Sequence, residues 1–262
     1  KRILTMSTVF QITQRPVIFL CKCLGIINIS TTSGPDGLLT QNTNITFYSF
    51  LELTRIIAIF IITYNVQKHV LLPEKVEIYK CWVIIISAKI SEKWIIKLIN
   101  GIMEYDKKLT STLTLNVIQG RPIIKKNWKL IFSCVFAYYV GTSVLTLMVL
   151  PKFRVMQLKI VPFYFIVFLS NAIDVTLVIS TYFYLQNLEY RFHTLNGFWT
   201  QFQNGLTTTP IVETSWTHDE ITMFVDNIRR LHAELCELLK IFSTGFGQML
   251  VAFFLFIYIS IV

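Results

Sequence analysis

Residues 130–151 read LIFSCVFAYYVGTSVLTLMVLP, a run without a charged side chain. Crossing roughly 30 Å of hydrocarbon takes a helix of about 20 mostly apolar residues, so this run predicts a transmembrane segment. Working outward, 241–262 (IFSTGFGQMLVAFFLFIYISIV) is also free of charge, and the longer 160–188 carries only Asp174. Both are expected spans. On the amino-terminal side, 47–66 contains Glu52 and Arg55. Three positions apart on a helix, they share a face and can offset each other's charge. The fifth candidate, 76–96, is charge-free only across 81–88, with Lys80 on one side and Lys89, Glu92 and Lys93 on the other. It reads as a span whose lysines snorkel or are buried in a bundle, with an interfacial or re-entrant helix as the alternative.

Composition agrees with a bilayer as solvent. Of 262 residues, 53% are apolar, 14% aromatic and only 15% charged, with mean hydropathy +0.57. A soluble domain seldom needs so much apolar surface. The formal net charge of +9 does not mark a nucleic-acid face, because the basic residues are interleaved with apolar runs, as in loops that flank spans. No nucleic-acid partner is expected. The cysteines (Cys21, Cys23, Cys81, Cys134 and Cys236) are odd in number and match neither a disulfide framework nor a zinc site, so buried free thiols are expected. Gln11, Gln14, Arg15 and Lys22 interrupt the opening stretch, which is not expected to be a cleavable leader. Beginning at Lys1 and ending inside an apolar run at Val262, the chain is expected to be a piece of a longer protein.

Lysine and arginine set the expected orientation, since short basic loops stay cytoplasmic. With the amino terminus inside, the inner segments hold 17 of these residues and the outer loops 6, with Arg55 within the first span. The expected fold is an all-α, polytopic membrane helical bundle: a cytoplasmic amino-terminal segment, 1–46, then a transmembrane bundle, 47–262. Two helices are expected to run into the cytoplasm, as extensions 189–197 and 218–240. The first should stop at Asn196-Gly197, ahead of a polar loop near 201–216 that contains Asn204-Gly205 and Pro210. The second opens on Thr217-His218-Asp219-Glu220, a capping box with Thr217 as N-cap. Its stripe of Phe224, Ile228, Leu231, Leu235 and Leu238 should be buried against another helix. Asn28-Ile29-Ser30 and Asn44-Ile45-Thr46 match the N-glycosylation pattern, and a cytoplasmic amino terminus would leave both unmodified.

Catalytic motifs are lacking. His69, His193, His218 and His232 form no HExxH, and neither GxSxG nor a P-loop occurs. His218-Asp219-Glu220 is accounted for by a helix start, where acids suit the macrodipole. His232 and Glu234, two apart, point to different sides of a helix. No enzyme activity, cofactor or metal is expected. Asp174 is the ionisable residue deep in a span, and a functional candidate because leaving it in lipid costs at least ~2.5 kcal/mol. The plainer reading is a carboxyl facing the bundle, bonded to a Ser, Thr or Tyr, with Asn171 one turn away in the same polar surroundings. Aromatic and hydroxyl groups also gather near the outer halves of the third to fifth spans. Tyr139, Ser143, Tyr164, Phe168, Asn171 and Tyr258 are therefore candidates to line a pocket for a small amphipathic ligand. For any one of them, interfacial placement or helix packing is the other reading.

Five stretches recur in a telling order. They are Arg15-Pro16-Val17-Ile18-Phe19-Leu20 with Lys22 and Leu24-Gly25-Ile26; Trp94 followed by Ile102, Tyr105-Asp106 and Leu109; Tyr190-Arg191-Phe192-His193-Thr194-Leu195-Asn196; Leu231-His232-Ala233-Glu234-Leu235; and Phe246-Gly247-Gln248-Met249-Leu250. In this order the chain resembles the insect gustatory receptor family of seven-span chemoreceptors. Each stretch is short, and their joint order over nearly the whole chain carries the resemblance. The weak second span departs from the family's pattern, and the family's Thr-Tyr and Gln-Phe motif of the seventh span falls beyond Val262.

The resemblance implies five spans of an expected seven, a cytoplasmic amino terminus and multi-pass residence in the plasma membrane. It further implies a homo- or hetero-tetrameric ligand-gated cation channel that detects small-molecule tastants, with the pore in the seventh span. Ligand would sit among the outer halves of the earlier spans, and cytoplasmic helix ends would pack subunits together. A G-protein-coupled receptor is the first alternative; it conflicts with the charge count, and neither Asp-Arg-Tyr nor Asn-Pro-x-x-Tyr is found. A transporter would favour broken helices and repeats, and a membrane enzyme would show clustered His, Asp or Glu.

Overall fold

The computed structural model describes residues 6–27, 31–34, 38–41, 45–67, 72–112, 128–149, 157–208 and 217–261. These form helices α1 (Met6–Cys23), α2 (Ile45–Gln67), α3 (Leu72–Thr112), α4 (Trp128–Val149), α5 (Gln157–Thr208) and α6 (His218–Ile261). A small ribbon, β1 (Thr31–Ser33) and β2 (Leu39–Gln41), lies between α1 and α2. The chain is almost wholly helical, and each expected span falls on one of α2 to α6. Among the described residues, Phe168–Thr200 of α5 and His218–Ile259 of α6 are long and apolar enough to cross a membrane. At 52 residues, α5 is about 78 Å long, more than twice the hydrocarbon thickness.

The ribbon departs from a purely helical reading. Its strands pair antiparallel, Thr31 opposite Gln41 and Ser33 opposite Leu39. Asn100 of α3 anchors it: Nδ2 donates to the Leu39 carbonyl at 3.0 Å, and Oδ1 accepts from the Leu39 amide at 2.7 Å. A side-chain amide thus stands in for the peptide group of a third strand.

Cross-helix contacts fix the helix directions. Against α2, α3 runs antiparallel: Glu52 pairs with Lys89, Trp82 donates to Thr63 at 3.3 Å, and Gln67 donates to Tyr79 at 2.9 Å. α6 is antiparallel to α3, with Gly245 against Trp94 and Ile95, Leu238 against Gly101 and Glu234 bonded to Lys108. α5 runs parallel to α3, from Ser170–Glu77 and Asp174–Lys80 down to Arg191–Asp106. α4 opposes α5, Phe132 lying near Phe183 and Tyr139 near Phe168. From α2 to α6 the direction therefore alternates.

The most extensive packing is between α3 and α6. Small residues let the two backbones approach: a Cβ on Gly101 would run into Leu238, and one on Gly245 would lie 3.4 Å from the Trp94 Cβ. Leu231, Leu235 and Leu238 are buried there, while Phe224 and Ile228 pack partly buried against the core, as the apolar stripe requires. Opposite them, Ile95, Leu98, Ile102 and Leu109 are buried on α3. Each such side chain contributes about 1.5–3 kcal/mol. The amino-terminal segment joins this core through α1, where Phe10 stacks on Phe183 with centroids 5.9 Å apart and Val17 and Cys21 are buried.

Helix ends agree with the sequence in one place and not in another. At the start of α6 the capping box forms: the Thr217 amide donates to Glu220 Oε2 at 2.9 Å, and the Glu220 amide to Thr217 Oγ1 at 3.3 Å. By contrast, α5 does not stop at Asn196-Gly197 but continues through Asn204-Gly205 to Thr208. The added turns bring Phe202 onto Phe224, centroids 4.5 Å apart, and that packing outweighs the roughly 1 kcal/mol a helical glycine costs. The thiols also divide: Cys21 and Cys81 are buried, whereas Cys23, Cys134 and Cys236 are exposed, so burial holds for two of the five. Asn28-Ile29-Ser30 and Asn44 lie outside the described residues.

Exposed apolar side chains are sorted by level. One face of α3 exposes Tyr79, Val83, Ile86 and Ile90, then Lys93 and Lys97. A face of α5 exposes Val178, Tyr182 and Leu185, then Glu189, His193 and Asn196. α6, running the other way, exposes Glu237, Lys240, Thr244 and Gln248, then Val251, Phe254 and Tyr258. The α3 and α6 transitions lie at nearly one height, because Ile95 touches Gly245, whereas that of α5 falls about two turns farther toward the charged side, since Tyr184 packs on Phe246 at 5.7 Å. On the charged side, exposed large apolar side chains such as Trp199 and Met223 are scattered singly.

Candidate functional site

Charges that weakened the first two expected spans meet partners across helices. On α3, Glu77 and Lys80 are one turn apart, and on α5 so are Ser170 and Asp174; the parallel packing brings the four together. Lys80 Nζ lies 2.7 Å from Asp174 Oδ2 and 2.6 Å from Glu77 Oε2, and Ser170 Oγ donates to Glu77 at 2.9 Å. The Lys80 side chain is 6% exposed, so it neither snorkels nor sits in an outer loop. Asp174 is thus held by a lysine rather than by a Ser, Thr or Tyr. Its Oδ1 has no hydrogen-bond partner among the described residues. One cation among two carboxylates leaves this cluster with an excess of acceptors.

Tyr139 and Phe168 lie near this cluster. The Tyr139 hydroxyl donates to the Phe168 carbonyl at 2.8 Å, and the rings are 4.7 Å apart. Of the other sequence candidates, Asn171 is exposed and Tyr258 is 67% exposed on α6. The side chains of Ser143 and Tyr164 lie outside those described. Direct contact therefore joins Tyr139 to Phe168, and Asp174 to α3. Lys80 was missed as a partner because a span's charge needs a neighbour, but which helix supplies it depends on rotations that periodicity leaves open.

A second cluster joins α2, α3 and the end of α1. Glu52, buried, is shared by Arg55 and Lys89, and Lys89 lies 3.7 Å from Glu92. Arg55 Nη1 also donates to the Lys22 carbonyl at 3.0 Å, where the last carbonyls of α1 favour a cation. Gly25 turns the chain there with φ +83°, and the amide of Ile26 bonds back to Cys21 at 2.8 Å. A Cβ on Gly25 would lie 2.6 Å from Arg55 Nη2. The glycine supplies both the left-handed turn and the space for the guanidinium.

The third cluster lies beyond the apolar zone. Arg191 of α5 bonds bidentately to Asp106 of α3, and its Nη1 donates to the Asn187 carbonyl at 2.6 Å. Phe10 of α1 covers the guanidinium, ring centroid 5.1 Å from Cζ. Burial pushes the Asp106 carboxyl above the usual carboxylate range, against the pull of Arg191. Phe192 next door meets the His232 ring edge-on at 5.8 Å. Stretches far apart in sequence, around Tyr105-Asp106, Tyr190-Arg191-Phe192 and Leu231-His232, thus converge. No family model, no curated protein and no solved structure matches the chain.

Proposed function

We propose that the chain is a subunit of a multi-pass plasma-membrane chemoreceptor channel, with α2 to α6 crossing the bilayer in turn and the amino terminus in the cytoplasm. The bilayer reading rests on the common level at which α3 and α6 change from exposed apolar to exposed charged side chains, on the same sequence of apolar then charged surface along α5, and on the alternation of helix directions. The charged side carries Lys93, Lys97, Lys240, Arg229 and Arg230, which supports a cytoplasmic placement by the positive-inside rule. Buried ion pairs then let α2 and α3 cross despite their charges.

The observation that carries the receptor reading is the convergence of the stretches resembling gustatory receptors. Tyr105-Asp106, Tyr190-Arg191-Phe192 and Leu231-His232 meet at one level, Gly25 makes the contact with Arg55, and Phe246 is buried in the same core. Convergence of short stretches is what a family constraint on one core produces. Small-molecule tastants would then enter among the outer halves of α3, α4 and α5, where Tyr139 and Phe168 offer an aromatic wall and the acceptor-rich Glu77–Lys80–Asp174 cluster lies close by. The channel would assemble as a homo- or hetero-tetramer. Expressing the chain with its natural flanking sequence, alone and with candidate partner subunits, and recording tastant-evoked cation current tests this. The expected result is a current whose half-maximal concentration shifts in Tyr139→Ala and Asp174→Asn at equal surface level. Tastant responses that need a G protein, or substrate uptake without current, would replace the reading by a G-protein-coupled receptor or a transporter.

A further inference from the structure

Along the exposed face of α3 the boundary between apolar and charged surface falls between Ile90 and Lys93. An open cleft with a volume of about 500 Å³ lies at that boundary, lined by Lys89, Ile90, Glu92, Lys93 and Ile96. Its walls differ by height. Ile90 is 59% exposed and belongs to the apolar stripe, whereas Lys93 is exposed on the charged side with its ammonium 5.5 Å from the Trp94 ring centroid. Lys97 flanks the same ring, 5.8 Å from its centroid, and is 57% exposed, with its ammonium 3.9 Å from Glu237 of α6. The other charges at the cleft are internally engaged: Lys89 pairs with Glu52 and Glu92. The positive charge presented outward is therefore that of Lys93, beside Trp94, a residue suited to the headgroup level.

We infer that this cleft holds the headgroup of an anionic phospholipid from the cytoplasmic leaflet, a reading that rests on the bilayer placement proposed above. The phosphate meets the Lys93 ammonium, Lys97 can turn toward it from its exposed pairing with Glu237, and the proximal acyl chain lies along Ile90 and the apolar stripe above it. A zwitterionic headgroup offers no net charge to the lysine pair, so the site discriminates by charge. Lysines near an anionic surface contribute about 1 kcal/mol each, or about fivefold in affinity.

The test compares lipids of one acyl composition on the purified full chain in detergent. Phosphatidylglycerol and phosphatidylcholine are titrated in turn and bound lipid is counted by native mass spectrometry. The expected result is one retained phosphatidylglycerol, preferred at least about fivefold, with the preference lost in Lys93→Ala/Lys97→Ala and weakened in Lys93→Gln. It should be kept in Lys107→Ala/Lys108→Ala, which removes equal charge from the same helix farther down. Equal retention of the two lipids, equal loss in both double variants, or displacement by inorganic phosphate would overturn the assignment. Alkaline carbonate extraction of cell membranes separates the two levels of failure. A chain that is extracted refutes the bilayer placement itself, whereas a chain that resists extraction but shows no lipid preference refutes the headgroup site alone.

Discussion

The guanidinium of Arg191 and the carboxylate of Asp106 meet at two points, Nε to Oδ1 at 2.8 Å and Nη2 to Oδ2 at 2.6 Å, with side chains 2% and 0% exposed. A buried pair need not exceed an apolar replacement in stability, but removing one member strands the other. Arg191→Ala and Asp106→Ala should each lose about 3–5 kcal/mol, and Arg191→Met/Asp106→Leu should lose far less than their sum. Thermal melting of the detergent-solubilised variants checks this; strictly additive losses would show that the pair is not coupled.

The cluster on α3 and α5 makes an ordering prediction. Lys80→Ala leaves Glu77 and Asp174 facing each other without a cation, whereas Asp174→Asn leaves Lys80 paired with Glu77 at 2.6 Å. The lysine variant should be the less stable of the two by about 2 kcal/mol or more. The reverse order would mean that Lys80 escapes to solvent when Asp174 is present.

At Gly25, φ is +83° and an added Cβ would lie 2.6 Å from Arg55 Nη2. Gly25→Ala should cost about 1–3 kcal/mol, combining the left-handed backbone with the displaced guanidinium. Gly34→Ala is the control, since among the described residues its Cβ meets nothing nearer than the Leu38 carbonyl at 3.5 Å, and should be close to neutral. Equal effects at the two glycines would contradict the assigned contact.

Burial pushes the Cys21 thiol up to about 12, with a hydrogen bond from Ser180 acting weakly in the other direction. The folded chain then holds its proton more tightly than the unfolded chain, whose thiol titrates near 9.0. Stability is unaffected by this group below pH 9, and falls above it by up to about 1.4 kcal/mol per pH unit. Cys21→Ala should flatten that part of the stability profile by one proton's worth. An unchanged slope would place Cys21 in contact with solvent.

Much of the helical fold was legible because long runs with few charges declare a helix by themselves. The run from 130 to 151 falls on α4 without tertiary information, and the Thr217-to-Glu220 box closes with residues three apart. Partner choice was less accessible. Lys80 with Asp174, and Asp106 with Arg191, pair across helices at separations of 94 and 85 positions, and only the helix rotations bring them together. The stop expected at Asn196-Gly197 failed for a related reason: a local propensity was outweighed by the distant Phe224. Of the pocket candidates, proximity in the fold singles out Tyr139 and Phe168, while the acceptor excess at Asp174 became evident only with Lys80 and Glu77 in place.

Two of the exposed cysteines test the central claim most directly, because one lies on a charged surface and the other on an apolar one. Cys236 is on the charged stretch of α6, near His232, and Cys134 is on α4 between the exposed Leu130 and Phe136. Single-cysteine forms of the full chain are treated with a membrane-impermeant maleimide in intact and then permeabilised cells. A bilayer-embedded bundle with a cytoplasmic amino terminus predicts that Cys236 labels only after permeabilisation and that Cys134, exposed to lipid rather than water, labels in neither. Labelling of Cys236 in intact cells would invert the topology, and rapid labelling of Cys134 after permeabilisation would place that surface in water and contradict the account.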